Sequence, residues 1–205
     1  MAEAEYPGAV WSPSPNHSSR RGAVVDKVVI HITDGSPSLR NCVERFCKAE
    51  TKASPHFVIG RGGEVVQLVE LSRAAWHAKG WNAESVGIEH VCRSPGELKS
   101  WPKLSRETRR KLVENEADAD ADSDPGLLPT EAQIAASAAL VRWLCAALGL
   151  PMDRRHVVGH YESPTTTHED CGRGDDDGGI WPWSIFTTPS SLSPSRRDHS
   201  PTPCR

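Results

Sequence analysis

Residues 24–32 read VVDKVVIHI, a β-branched and mostly apolar run with one histidine inside it. A run of this kind suits a buried strand, and the imidazole it carries must then be accommodated within or beside the core. A second short run, HVVGH at 156–160, has the same character and also carries a histidine at its end. Between them, HFVIG (56–60), the Arg61-Gly62-Gly63 turn and EVVQLV (64–69) predict a β-hairpin, and SVGIEHV (85–91) predicts a further strand.

Two helices complete the pattern. Leu39, Cys42, Val43, Phe46 and Cys47 recur at helical spacing after a TDGSPS turn, in which Ser36 is the expected N-cap and Pro37 the first helical residue. Thr130 and Gln133 form a capping box, and Ile134, Ala138, Val141, Cys145 and Leu148 form the expected buried stripe up to Gly149 and Pro151. The order strand, helix, hairpin, strand, helix, strand predicts one α/β domain with a central mixed sheet flanked by helices.

Within 205 residues the domain is expected at 23–186. An irregular lead-in at 1–22 precedes it and a low-complexity, disordered tail at 187–205 follows it. ENEADADADSD (114–124) has six acids in eleven residues and nothing to bury, so about 105–127 is expected as a flexible acidic insertion. No apolar run approaches the roughly 18 residues of a membrane span, so no transmembrane segment is expected. A net charge of −3 argues against nucleic acid as a partner. The six cysteines contain no CxxC pair, so a zinc ribbon has no support; Cys42 and Cys47 are expected as buried thiols, with a disulfide between them the alternative. MAEAEYPGAVW lacks a basic segment followed by an apolar one, so no signal peptide is expected in this chain, which leaves localisation open.

Nine histidines are many for such a chain, and their placement is what matters. His31 and His160 stand on strand ends and could face one cleft, where imidazoles make good zinc ligands. The loop after His160 offers His168, Glu169, Asp170 and Cys171 as sources of a third ligand. Three protein ligands and one open position leave room for a water, whose pKa zinc lowers to about 7. A satisfied core histidine is the competing reading of either residue taken alone. Trp76, His77, Trp81 and Asn82 lie in a loop rich in groups that can touch a ligand, although Asn82 could equally close a turn. Trp181 and Trp183 could line a groove or belong to the core. His56 is expected to support the sheet.

These segments, taken together, resemble the zinc-dependent N-acetylmuramoyl-L-alanine amidase family, the type-2 amidase domain shared with peptidoglycan recognition proteins. The matching stretches are VVIHITDG (28–35), SPHFVIGRGGEVVQLV (54–69), AAWHAKGWNAESVGIEH (74–90), LVRWLCAALGLPMDRRHVVGHYE (140–162) and THEDCG (167–172). The resemblance implies that fold, one zinc ion, and ligands at His31, His160 and Asp170. Cys171 stands where the family usually has Pro and is the alternative third ligand; the ten-residue step from His160 and the position of Gly172 favour Asp170. It further implies Glu89 as general base and His168 as donor to a developing oxyanion. The alternative for Glu89 is an acid orienting a ligand histidine, and for His168 a surface residue. His77, Asn82 and Trp76 become expected substrate contacts.

The function implied is hydrolysis of the amide between N-acetylmuramic acid and L-alanine in peptidoglycan or muropeptides, by a monomer. Cell-wall degradation, muropeptide recycling and release as a phage endolysin all fit. The alternative is a recognition module that binds peptidoglycan without cutting it.

Overall fold

The computed structural model describes residues 3–33, 38–92, 129–165 and 181–186. The acidic insertion, the 187–205 tail and residues His168, Asp170 and Cys171 lie outside the described residues. The strands are β1 (Val10–Trp11), β2 (His17–Ser19), β3 (Lys27–Ile32), β4 (Phe57–Ile59), β5 (Val65–Gln67), β6 (Arg73–Ala75), β7 (Ser85–His90) and β8 (Val157–Gly159). The helices are α1 (Leu39–Phe46) and α2 (Glu131–Leu148), with 3-10 turns at Ala49–Thr51, His160–Glu162 and Trp183–Phe186.

Six strands make one mixed sheet in the order β1-β5-β4-β7-β3-β8, and β2 pairs with β6 in a separate antiparallel ribbon. The β4–β5 hairpin is antiparallel, whereas β4, β7, β3 and β8 run parallel. The central strands are apolar on both sides because both sides are covered. On one face Val28, Ile30, Ile32, Phe57, Val86 and Ile88 pack against Leu140, Val141 and Leu144 of α2 and against Trp181, Trp183 and Phe186. On the other, Val58, Val66 and Val91 pack against Cys42 and Phe46 of α1. The architecture is therefore the expected α/β domain, and Trp181 and Trp183 are core rather than groove.

Both helix starts show why local chemistry sets the boundary. The cap of α1 is Ser38, two residues after the expected Ser36; its Oγ accepts the Asn41 N–H at 3.3 Å. The capping box of α2 forms as expected, with Thr130 Oγ1 accepting from Gln133 N and Gln133 Oε1 accepting from Thr130 N, both at 3.1 Å. Gly149 ends α2 in the left-handed region at φ 69°.

The buried face of α2 is Gln133, Ser137, Leu140, Val141, Leu144 and Cys145, which only partly matches the expected stripe. Gln133 explains the rotation. Its amide Nε2 donates to Ile59 O (3.2 Å) and Val91 O (3.0 Å), so a polar residue is drawn onto the sheet. By length and composition alone α2 is apolar enough to cross a bilayer, contrary to the expectation that no segment would be. Its apolar face is instead laid on the sheet of this domain.

Residues 3–22 are bound into the domain more closely than an irregular lead-in implies. Ser14 Oγ (2.6 Å) and Asn16 Nδ2 (3.1 Å) donate to Phe46 O, and Asn16 Nδ2 also donates to Lys48 O (2.8 Å). The bonds to Phe46 O satisfy the last carbonyl of α1, and the bond to Lys48 O adds a second donor beside the Thr51 N–H. The four cysteines among the described residues are free thiols, Cys42 and Cys47 included.

Candidate active site

The site lies where β7, β3 and β8 end. Parallel strands deliver their C-terminal ends to one edge of a sheet, and ligands in open α/β sheets bind there. On β3, His31 is almost fully buried and stands directly opposite Glu89 of β7 in the ladder. Neighbouring strands are about 4.8 Å apart, so the two side chains leave the same face side by side. On the other flank, Ile30 pairs with Gly159 of β8, and His160 is the next residue. The His31 and His160 rings lie 4.6 Å apart between centroids, inclined at 51°. Glu89 and His31 thus stand abreast on β7 and β3, on the α1 side of the sheet, and His160 joins them from the first residue of the turn after β8, with Glu89 and His160 half-buried.

Two neutral-capable imidazoles at this separation suit a single divalent ion, since zinc–nitrogen bonds of about 2.0–2.1 Å bring two ligand nitrogens close together. The donor set fits zinc as far as it is described; the expected third ligand lies outside the described residues. No group of three His, Cys, Asp or Glu residues able to hold a metal occurs among the described residues.

A second row of histidines stands behind the first. His77 Nδ1 lies 3.0 Å from His31 Nε2, and His77 Nε2 lies 3.1 Å from Ser85 Oγ. The His56 ring is 5.6 Å from that of His77. Its Nδ1 accepts the Gly87 N–H at 3.0 Å and its Nε2 faces Arg73 O at 3.0 Å. Burial, and then the charge of Arg20, pushes the His56 pKa down to about 3. Burial, and then the neighbouring imidazoles of His31, His56 and His160, holds His77 well below the ordinary histidine value. On the opposite face His90 is fully buried against Trp181, and its Nδ1–H donates to His31 O at 2.8 Å. Burial pushes its pKa down to about 3 as well.

Arg20 ties this second row to the loop before β7. Its Nε donates to Leu71 O (2.8 Å), and its Nη1 donates to Ala83 O (2.7 Å) and Ser85 O (3.1 Å). Burial lowers its pKa to about 10, which still leaves it a cation at neutral pH.

The structure brings His31, His160 and Glu89 together and places the loop residues differently from one another. Asn82 Oδ1 accepts the backbone N–H groups of His77 (3.0 Å) and Ala78 (2.7 Å), so it closes the loop that carries His77. Trp76 is half-buried, and its indole N–H donates to Ser18 Oγ at 3.3 Å. Arg20, Ser85, Gly87 and His90 carry weight in the site that the sequence reading did not assign. Gly87 was the one legible signal, because a glycine inside a strand pattern marks a close approach of another group.

A family model described as N-acetylmuramoyl-L-alanine amidase matches residues 21–173, so the chain belongs to that family. N-acetylmuramoyl-L-alanine amidase A of Achromobacter lyticus is 30% identical over 88 residues, covering 42% of this chain. The match takes in 49% of that protein, so the chain spans about half the length of the curated relative it resembles.

Solved structures share the fold at low identity. An AmpD crystal structure superposes with a TM-score of 0.56 at 20% identity, covering 91% of this chain and 97% of AmpD. AmiD from E. coli, solved in complex with the substrate anhydro-N-acetylmuramic acid-L-Ala-D-gamma-Glu-L-Lys, gives 0.55 at 18% identity, covering 85% and 59%. A Drosophila peptidoglycan recognition protein, PGRP-SD, gives 0.51 at 16% identity, covering 78% and 82%.

Proposed function

We propose that the chain is a zinc-dependent amidase that hydrolyses the bond between N-acetylmuramic acid and L-alanine in peptidoglycan or muropeptides. The single observation that carries this reading is the row Glu89, His31, His160 at the ends of three adjacent parallel strands. His31 and His160 are the ligands contributed by β3 and by the turn after β8. Asp170 is the third ligand carried from the sequence, with Cys171 its alternative. Zinc, when bound, supplies Lewis acidity toward the amide carbonyl and makes a water acidic enough to ionise near neutral pH.

Glu89 is the general base. Its carboxylate removes a proton from the attacking water, whose oxygen forms a bond to the amide carbon. The C–N bond then breaks and the same carboxyl returns the proton to the departing nitrogen of L-alanine. The products are a lactyl carboxylate on the sugar and a stem peptide with a free amino terminus. A half-buried acid beside an imidazole is placed to hold and return a proton in this way. His168 is the donor to the oxyanion. Trp76 offers an aromatic face to the substrate from the neighbouring loop.

Mass spectrometry of muropeptides digested with and without a zinc chelator tests the proposal. Release of stem peptides that begin with L-alanine, abolished by chelation and restored by zinc, is the expected result. Intact muropeptides in the presence of bound zinc would favour the non-cutting recognition reading.

A further inference from the structure

Hydrogen-bond accounting around His77 fixes more than its position. Ser85 Oγ donates its one proton to Trp81 O at 2.7 Å. The same oxygen, 3.1 Å from His77 Nε2, must therefore accept there, so Nε2 carries the proton of His77. In the neutral ring Nδ1 is then an acceptor, and it faces His31 Nε2 at 3.0 Å. His31 must donate from Nε2, which makes Nδ1 the nitrogen of His31 with a lone pair to offer. A glycine permits the arrangement: a Cβ on Gly87 would stand 2.5 Å from both Cγ and Nδ1 of His77, so the ring lies directly over the β7 backbone.

Resting on the zinc reading above, we infer that His77 is a positioning residue that locks His31 in the Nε2–H tautomer and turns its Nδ1 to the metal, with Ser85 and Trp81 O anchoring the relay. Ligand histidines are ordinarily oriented by a carboxylate, carbonyl or water on the second nitrogen. Here a second imidazole takes that place, and because it is anchored at its far nitrogen it cannot turn over without losing both bonds. His77 thereby acts through His31 and not on substrate, a different task from the contact expected from the sequence.

The test has two arms on the full chain. In ¹⁵N-edited NMR of the metal-free wild type, His31 should show a protonated Nε2, and zinc addition should shift its Nδ1 resonance. Zinc affinity, measured by competition with a chromophoric chelator, should fall about 10- to 100-fold in His77→Ala. It should recover to within a few-fold in His77→Asn, whose amide oxygen can occupy the place of Nδ1. A His31 that carries its proton on Nδ1 overturns the inference whether or not His77→Ala folds. So does metal coordination through Nε2, or an affinity in folded His77→Ala within twofold of wild type. Wild type that binds no zinc while His31 keeps the Nε2–H tautomer would overturn the zinc reading and leave the relay standing.

Discussion

Adding one methyl group to Gly87 should unseat the histidine behind the site, and the size of the effect follows from the packing. An alanine Cβ at 87 would meet the His77 ring at 2.5 Å for Cγ and Nδ1 and at 2.8 Å for Cδ2, far inside van der Waals contact. Gly87 does not occupy the left-handed region, so the backbone itself accepts alanine and the cost comes from the ring it displaces. Overpacking of this kind costs about 1–3 kcal/mol, and displacing the ring also forfeits its bonds to His31 and Ser85 at about 0.5–1.5 kcal/mol each. Gly87→Ala should thus destabilise the fold by roughly 2–6 kcal/mol, a fall in Tm of roughly 4–24 °C for a domain of this size. The decisive experiment is a double-mutant cycle by thermal or denaturant unfolding. With His77→Ala already in place the ring is gone, and Gly87→Ala should become neutral or stabilise by about 0.4–1 kcal/mol through the unfolded chain. Equal losses in the two backgrounds, or no loss in the wild type, would refute the packing argument.

Other expectations follow from single contacts. His56 is buried with its pKa pushed down to about 3, whereas the unfolded chain titrates near 6.5. Between those values the unfolded state binds the extra proton, so stability is full above about pH 6.5 and falls as pH drops toward 3, by up to about 1.4 kcal/mol per pH unit. A folded His56→Leu variant should show a shallower acid limb in chemical denaturation; an unchanged slope would count against it. Gln133→Ala removes the side-chain half of the capping box, the Oε1 that accepts from Thr130 N, and two donors to buried carbonyls, although Ile59 O keeps its second partner, Val91 N. A loss of about 2–3 kcal/mol in urea unfolding is expected. Asn16→Ala withdraws a donor from Phe46 O and Lys48 O at the end of α1, and should cost about 1–2 kcal/mol in the same assay.

The fold was legible wherever apolar runs carried it. VVIHI, HFVIG, EVVQLV, SVGIEHV and HVVGH each became a strand, because a strand covered on both faces needs an uninterrupted apolar stretch. β1, β2 and β6 were not legible, since the segments before and between them are held by polar side chains: Ser14, Asn16 and Arg20 bond to distant carbonyls and leave no periodic trace. The stripe of α2 was misplaced for a similar reason, as Gln133 is buried by the carbonyls it reaches.

Within the site, His31, His160 and Glu89 could be read from their strand ends. The register that sets them abreast could not, because which strands neighbour β3 is a property of topology. His77 illustrates the remaining limit. Its motif marked it as important, but whether it faces substrate or a neighbouring imidazole depends on Ser85 and Gly87 coming to lie beneath it.

The central claim is that Glu89 does proton chemistry beside a metal held by other residues. Glu89→Gln keeps the shape of the side chain and removes its basicity, and its zinc content and muropeptide turnover can be measured on one preparation. The expected result is one zinc per chain, as in wild type, with turnover reduced at least 100-fold. Turnover within a few-fold of wild type at full zinc occupancy would contradict it.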